Sequence, residues 1–174
     1  MVFNNVRKIL FLIPARGGSK GIYKKNIRSF CGKPLLEFTI KEVLYSKYFS
    51  NSTVICSSDD LEILSIVRTI NKSVICHKRQ EELSTDNSTI QDLLLNLIKQ
   101  GILNSIGIDV CILQPTSPLR TAKDIDNSFD IFYSGNHSGL VSVTTLKHTN
   151  HPSKIMVPNT KNTQTLISYL EFKS

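Results

Sequence analysis

The chain has 174 residues, of which 40% are hydrophobic and 20% are charged, as is typical of a globular protein with one core. No apolar run approaches the roughly 20 residues that cross a bilayer, so we expect no membrane segment. The net charge is +7, but the lysines and arginines are spread along the chain without a dense tract interleaved with aromatic residues, which argues against nucleic acid as a partner.

The first predicted element is the apolar run KILFLIP at residues 8–14. It could pass for a signal peptide, but it is too short, and Arg16 places a charge where a cleavage site needs small neutral residues. It therefore predicts a buried strand. The four cysteines are scattered and show no C-x-x-C spacing, which favours small hydrophobic side chains in a reducing cytoplasm over disulfides or metal ligands.

Short β-branched runs then alternate with segments of helical period. Further strands are predicted at 52–58, 73–77, 109–115 and 139–145. Helices are predicted from apolar residues three or four positions apart, starting at Leu36, Ile63, Ile90 and Ile125. This alternation predicts an α/β fold with three αβα layers and a mainly parallel, doubly wound, Rossmann-like sheet. Such sheets bind ligands beyond the carboxyl ends of their strands, so the chemistry is expected there.

Polar residues mark the predicted helix starts. Ser88 opens the capping-box pattern S-x-x-Q, and Thr121 opens the similar pattern T-x-x-D. Asp59 and Asp60 lie between a predicted strand and a predicted helix, where they could cap the helix or bind a metal.

The loop ARGGSKG at residues 15–21 follows the first strand directly. Its glycines would let backbone N–H groups approach phosphate oxygens, and its cations would neutralise charge. Neither the Walker A pattern nor GxGxxG fits it. Its composition leaves two interpretations open, a phosphate-binding loop and a plain surface turn.

The longer string IPARGGSKGIYKKN at residues 13–26 resembles the CMP-N-acetylneuraminate synthetases, also called acylneuraminate cytidylyltransferases. The resemblance continues in chain order through FCGKPLLEFTIKEVL, VICSSDDLEI, RQEELSTDNS, ILQPTSPLRTAKDID and HPSK, from about residue 9 to 154. It implies a nucleotide-diphospho-sugar transferase-like fold. It also implies transfer of CMP from CTP to a nonulosonic, sialic-acid-like sugar acid with release of pyrophosphate.

The resemblance further implies roles for single residues. Arg16 and Lys25 would be catalytic, the first on the nucleotide phosphates and the second on the leaving pyrophosphate. The residues implied in substrate binding are Gly18, Ser19, Asn26, Arg79, Ser88, Gln114, Thr116, Ser117 and Lys154. These residue types suit in-line transfer at the α-phosphorus, which requires mainly alignment and charge neutralisation. The sequence assigns no general base.

Several of these residues also fit a structural role. Ser88 could cap a helix, with or without contacting a ligand. Gln114 could lie in a loop held rigid by two prolines, or it could bind a base from the end of a strand. His77, His137 and His148 lack metal-ligand spacing, so packed or solvated imidazoles are expected.

The sequence departs from the family pattern at Tyr23, where the family usually has proline, and at Ile90, where a hydroxyl residue is common. The resemblance also implies a dimerisation segment and a late aspartate pair that binds Mg²⁺, and the residues after Lys154 supply neither. We therefore expect a nucleotide-binding α/β domain at 1–150 and an incomplete remnant of the dimerisation and metal-binding segment at 151–174. Mg²⁺ is expected, with no ligand assigned in this chain, and a homodimer is the assembly implied.

Two functions remain open at this point. One is an active cytidylyltransferase, and the other is a truncated or degenerate CTP-binding module without turnover. A nucleotidyltransferase for the eight-carbon sugar of lipopolysaccharide is disfavoured, because that relative typically lacks RGGSKG and the KN pair at 25–26. The sequence does not distinguish N-acetylneuraminate, legionaminate and pseudaminate as the acceptor.

Overall fold

The computed structural model describes residues 8–19, 21–85, 87–103, 107–135, 137–143, 156–159 and 162–168. The chain divides into two compact units, 1–137 and 138–174. The division expected from the sequence was placed after residue 150.

The first unit is built on a parallel sheet. The strands of this unit are β1 (Lys8–Pro14), β2 (Ser29–Phe30), β3 (Lys33–Pro34), β4 (Ser52–Ser58), β5 (Ile75–Lys78) and β6 (Ile108–Ile112). The main sheet has the order β5-β4-β1-β6 with every pair parallel, and β2 and β3 form a small antiparallel pair. The chain moves outward from β1 to β5 and then returns past β1 to β6, so the sheet is doubly wound, as predicted.

Helices cover both faces of this sheet. They are α1 (Leu35–Tyr45), α2 (Leu61–Ile70), α3 (Ile90–Lys99) and α4 (Ala122–Ser134). Apolar side chains of α1, α2 and α4 form one buried cluster with the sheet, and those of α3 form a second cluster with it. The predicted three-layer αβα architecture is therefore confirmed.

The central strand β1 contributes to both clusters because its side chains alternate between the two faces. Phe11 lies in the first cluster, together with Ile9 and Ile13, and Leu10 and Leu12 lie in the second. All five side chains are buried, which explains why the run is apolar at every position rather than at every second one.

The cysteines behave as small hydrophobic residues. All four are free, and Cys56, Cys76 and Cys111 lie in the strands β4, β5 and β6. Burial raises the pKa of the Cys56 thiol to about 12 and that of the Cys111 thiol to about 11, so both stay protonated near neutral pH.

One of the two helix caps predicted from the sequence is confirmed, and the other is wrong. Thr121 caps α4 in a capping box with Asp124, as predicted. For α3 the predicted cap at Ser88 is wrong by one residue, since Thr89 forms the capping box with Asp92. The hydroxyl of Ser88 instead donates to the carbonyl of Glu82 at 2.8 Å, which keeps it in the preceding loop.

A strand is predicted at 139–145, but residues 139–143, the part that the structure describes, do not form one. Val141 and Val143 are 68% and 63% exposed, and none of the described residues pairs with this segment as a neighbouring strand. A strand needs a partner for its backbone hydrogen bonds, so a β-branched composition does not create one. Residues 144 and 145 lie outside the described ranges.

The second unit also contains an element that the sequence did not predict. Strands β7 (Met156–Asn159) and β8 (Asn162–Ser168) form an antiparallel hairpin with an irregular register near Pro158 and Asn159. In the parts of the chain described above, no helix combines the length and apolar character needed to cross a bilayer.

Candidate active site

A cavity of about 400 Å³ lies at the carboxyl edge of the parallel sheet. Its walls come from the ends of β1, β5 and β6 and from the start of α3. Eight of the residues implied by the sequence line it: Arg16, Ser19, Lys25, Asn26, Arg79, Ser88, Gln114 and Thr116. Residues far apart in the chain meet here because parallel strands all point their carboxyl ends to one edge. The volume is in the range of small-molecule sites.

Three of the implied residues are not found in this cavity. Gly18 and Ser117 are exposed and are not among its lining residues. Lys154, with the rest of the HPSK segment, lies outside the described residues. The roles of these three remain predictions.

The first residues of the loop after β1 are held by three hydrogen bonds. The backbone N–H of Ala15 donates to the carbonyl of Ser57 at 2.9 Å, and that of Gly17 donates to Oδ1 of Asp59 at 2.9 Å. The side-chain amide of Asn26, which is buried, donates to the carbonyl of Arg16 at 2.9 Å. The start of the loop therefore has a fixed path beside the cavity, and Asn26 acts as one of its anchors.

The two aspartates after β4 make backbone contacts. Asp60 caps α2 by accepting the N–H of Glu62 at 2.8 Å, so the capping interpretation is confirmed for Asp60. Asp59 accepts the N–H of Gly17 instead. The described residues contain no group of three or more His, Cys, Asp or Glu side chains that could hold a metal ion.

Arg79 places a buried positive charge in the wall of the cavity. Its side chain is only 6% exposed, and it donates from Nε to Oγ of Ser57 at 3.1 Å and from Nη2 to the carbonyl of Ser57 at 2.9 Å. Both partners are neutral, and no carboxylate among the described residues forms an ion pair with it. Asp59 attracts this buried charge without forming an ion pair with it, so the guanidinium can still pair with an anionic ligand.

The electrostatics around Arg79 agree with an anion site. Burial lowers the pKa of Arg79, and the neighbouring charge of Arg16 lowers it further, although Asp59 opposes both effects. The two guanidiniums therefore repel each other, and Lys25 adds a third cation to the same cavity. A ligand with several negative charges would relieve this repulsion.

Two polar loops also line the cavity. The guanidinium of Arg120 donates to the carbonyl of Gln114 at 3.0 Å and so closes the loop that carries Thr116. On the other side, Oγ of Ser88 lies 2.8 Å from Oγ1 of Thr85. These contacts hold hydroxyl and amide groups at the rim, where they can recognise a polar ligand.

The structure adds lining residues that sequence reasoning missed. They are Pro14, Leu83, Thr85, Thr89, Ile90, Leu93 and Pro115. Ile90 and Leu93 lie on the first turn of α3 and also pack with the second core cluster, so they give the cavity an apolar wall. Their helical spacing was visible in the sequence, but it predicts burial and gives no sign of a cavity at the helix start.

The fold and this site together define an α/β protein with a basic loop and a buried arginine at the carboxyl edge of a Rossmann-like sheet, the edge where such sheets bind ligands. Comparison with known proteins makes the class specific. The family model described as Cytidylyltransferase matches residues 10–165, and the chain belongs to this family.

Among its relatives, pseudaminic acid cytidylyltransferase of Campylobacter jejuni serotype O:2 is 34% identical over 144 residues, covering 81% of this chain and 60% of the relative. N-acylneuraminate cytidylyltransferase of Escherichia coli O18:K1:H7 is 34% identical over 155 residues, covering 87% and 34%. The chain therefore spans only part of each relative.

A solved structure of CMP:2-keto-3-deoxy-manno-octonic acid synthetase complexed with CTP matches with a TM-score of 0.57 at 19% identity. The match covers 73% of this chain and 48% of that one. At this identity the likeness concerns the fold, and it agrees with the nucleotide-diphospho-sugar transferase architecture expected from the sequence.

Proposed function

We propose that this chain binds CTP in the cavity and transfers CMP to a nonulosonic acid, with release of pyrophosphate. The observation that carries the proposal is the meeting of Arg16, Lys25 and the buried Arg79 in one cavity. Both relatives named above are cytidylyltransferases, one for pseudaminic acid and one for an N-acylneuraminate, which supports a sugar acid as the acceptor.

The reaction would be an in-line displacement at the α-phosphorus of CTP. The anomeric hydroxyl of the sugar acid forms the new P–O bond and loses its proton, while the bond to the β-phosphate breaks and pyrophosphate leaves. Charge develops on the phosphate oxygens during this step, and cations placed in advance stabilise it. In this proposal Arg16 contacts the nucleotide phosphates and Lys25 neutralises the leaving pyrophosphate.

The remaining lining residues would bind the rest of the substrates. By the resemblance, Arg79 and Ser88 would hold the cytidine part, and we propose that the charge of Arg79 also contacts the phosphate next to it. Gln114 and Thr116 would lie where nucleotide and sugar meet. Asn26 has a role in the nucleoside site by the resemblance, and its bond to the carbonyl of Arg16 supports an additional role in shaping the loop. The acceptor carboxylate would need a cation, because carboxylates pair most strongly with arginine or lysine.

Three further expectations belong to this proposal. We propose that the reaction requires Mg²⁺, and we assign no step to the ion because the described residues hold no cluster of three or more ligating side chains. A homodimer is proposed from the family resemblance, with residues 151–174 assigned to the dimerisation segment. A cytoplasmic location is proposed because the four free cysteines suit a reducing compartment.

The proposal is tested by two measurements on the purified chain. Calorimetric titration should show saturable binding of CTP and weaker binding of UTP, ATP and GTP. A pyrophosphate-release assay with CTP, Mg²⁺ and one of N-acetylneuraminate, legionaminate or pseudaminate should give turnover with at least one acceptor, and EDTA should abolish it. Binding of CTP without pyrophosphate for any acceptor would instead indicate a CTP-binding module, and no CTP binding at all would contradict both functions.

The variant Arg16→Ala tests the loop directly. We expect it to lower turnover by the equivalent of about 2–4 kcal/mol, because it removes a cation from developing charge. Lys72→Ala is the matched control, since Lys72 precedes β5 at the opposite edge of the sheet and is exposed. If Arg16→Ala bound CTP and turned over as Lys72→Ala does, Arg16 would have no role in binding or catalysis.

A further inference from the structure

A chain of hydrogen bonds behind the cavity connects Arg79 to a histidine for which the sequence indicated no function. Nε of Arg79 donates to Oγ of Ser57 at 3.1 Å, and the same Oγ lies 2.9 Å from Nδ1 of His77. Nε2 of His77 lies 3.0 Å from Oε1 of Gln100, the residue that ends α3. Ser57 and His77 are buried and are register partners in β4 and β5, so their side chains meet across the sheet.

The donors and acceptors allow one consistent arrangement. Oε1 of Gln100 can only accept, so the proton of the neutral imidazole is on Nε2, which donates to it, and Nδ1 carries no proton. The hydroxyl of Ser57 accepts from Arg79 and therefore donates its own proton to Nδ1 of His77. Burial lowers the pKa of His77 and the charge of Arg79 lowers it further, while Gln100 opposes the shift. The imidazole is therefore neutral at physiological pH, as this arrangement requires.

Ser57 also connects this chain of bonds to the loop after β1. Its carbonyl accepts both Nη2 of Arg79 at 2.9 Å and the backbone N–H of Ala15 at 2.9 Å. The position of Ser57 thus determines both the orientation of the guanidinium and the start of the loop that carries Arg16. A change in the hydrogen bonding of Ser57 would therefore alter the positions of Arg79 and Arg16, two of the three cations in the cavity.

We propose that His77 is a positioning residue for the nucleotide site. Its neutral imidazole, oriented by Gln100, accepts the hydroxyl proton of Ser57 and so keeps Oγ of Ser57 turned to accept from Arg79. Arg79 is thereby held in a single orientation toward the ligand before the ligand arrives. This inference rests on the proposed function, since it assigns the oriented arginine to CTP binding.

The test compares two substitutions at His77. His77→Leu removes the acceptor but keeps an apolar side chain, and we expect it to raise the Kd for CTP about 5- to 10-fold, because Ser57 loses a buried hydrogen bond. His77→Asn keeps an acceptor near the place of Nδ1, and we expect it to restore the Kd to within about 3-fold of the parent value. Thermal unfolding of each variant shows whether it is folded.

Arg79→Leu separates failure of this inference from failure of the proposed function. If the parent chain binds CTP and Arg79→Leu does not, whereas His77→Leu binds CTP as the parent does, then His77 does not position Arg79. The inference is also overturned if His77→Asn matches the parent in melting temperature but binds CTP as weakly as His77→Leu. If the parent chain itself shows no heat with CTP, the proposed function fails first.

Discussion

Gly17 is the residue of the loop where a single added carbon should have the largest effect. A Cβ built at Gly17 would lie 2.8 Å from Cβ of Asp60 and 3.0 Å from its Oδ2. Carbon atoms in contact normally lie about 3.5–4.0 Å apart, so Gly17→Ala must move the loop or Asp60 by roughly 0.7–1.2 Å. Neither can move cheaply, because the N–H of Gly17 bonds Asp59 and the carboxylate of Asp60 caps α2.

We expect this overpacking to lower the free energy of unfolding by about 1–3 kcal/mol. For a chain of this size that corresponds to a fall in Tm of about 3–9 °C in scanning fluorimetry. A displacement of about 1 Å at Arg16 should also weaken CTP binding in calorimetric titration, since catalytic geometry tolerates little misplacement.

Gly21→Ala serves as the control for this prediction. A Cβ at Gly21 meets nothing within 4 Å, and this glycine does not have a left-handed φ. We expect its effect on stability to stay within about 0.5 kcal/mol. If Gly17→Ala had the same Tm and the same Kd for CTP as Gly21→Ala, the reasoning would be refuted. The close approach of Gly17 to Asp60 would then affect neither stability nor binding.

Two further predictions concern the caps and pH. Thr121→Ala should destabilise the chain by about 1 kcal/mol in urea unfolding, because the backbone N–H of Asp124 loses its acceptor, Oγ1 of Thr121, whereas the exposed neighbour Lys123→Ala should change little. The pKa of His77 is lowered in the folded chain, mainly by burial, so its contribution to stability should be complete above pH 6.5 and decline as the pH falls toward the lowered value. Urea unfolding at pH 7.5, 6.5 and 5.5 should show this decline, and a decline of equal size in His77→Asn would assign it to other groups.

The grouping of eight implied residues around one cavity was accessible to sequence reasoning, because these residues lie in short motifs that follow strands. Arg16 follows β1, Arg79 follows β5 and Gln114 follows β6 shortly after its end. A parallel sheet brings such positions to one edge whatever the lengths of the connections. The geometry that groups them therefore follows once the strands are recognised.

Hydrogen-bond partners were less predictable. Ser88 and Thr89 both have cap-forming side chains, and the sequence pattern fits the first as well as the second. The choice fell to Thr89 because the hydroxyl of Ser88 contacts the carbonyl of Glu82. The hydrogen-bond partners of His77 were also not predictable from the local sequence. They are Ser57, 20 residues before it, and Gln100, 23 residues after it.

The sequence alone determined the alternation of strands and helices, the apolar character of both faces of β1 and the basic, glycine-containing loop that follows it, because these properties depend on residue type and local period. The tertiary structure decided that Gly17 must pass close to Asp60, that residues 139–143 do not form a strand, and that His77 faces Ser57. Each of these depends on the distance between groups that are remote in the chain, and local period carries no information about such distances.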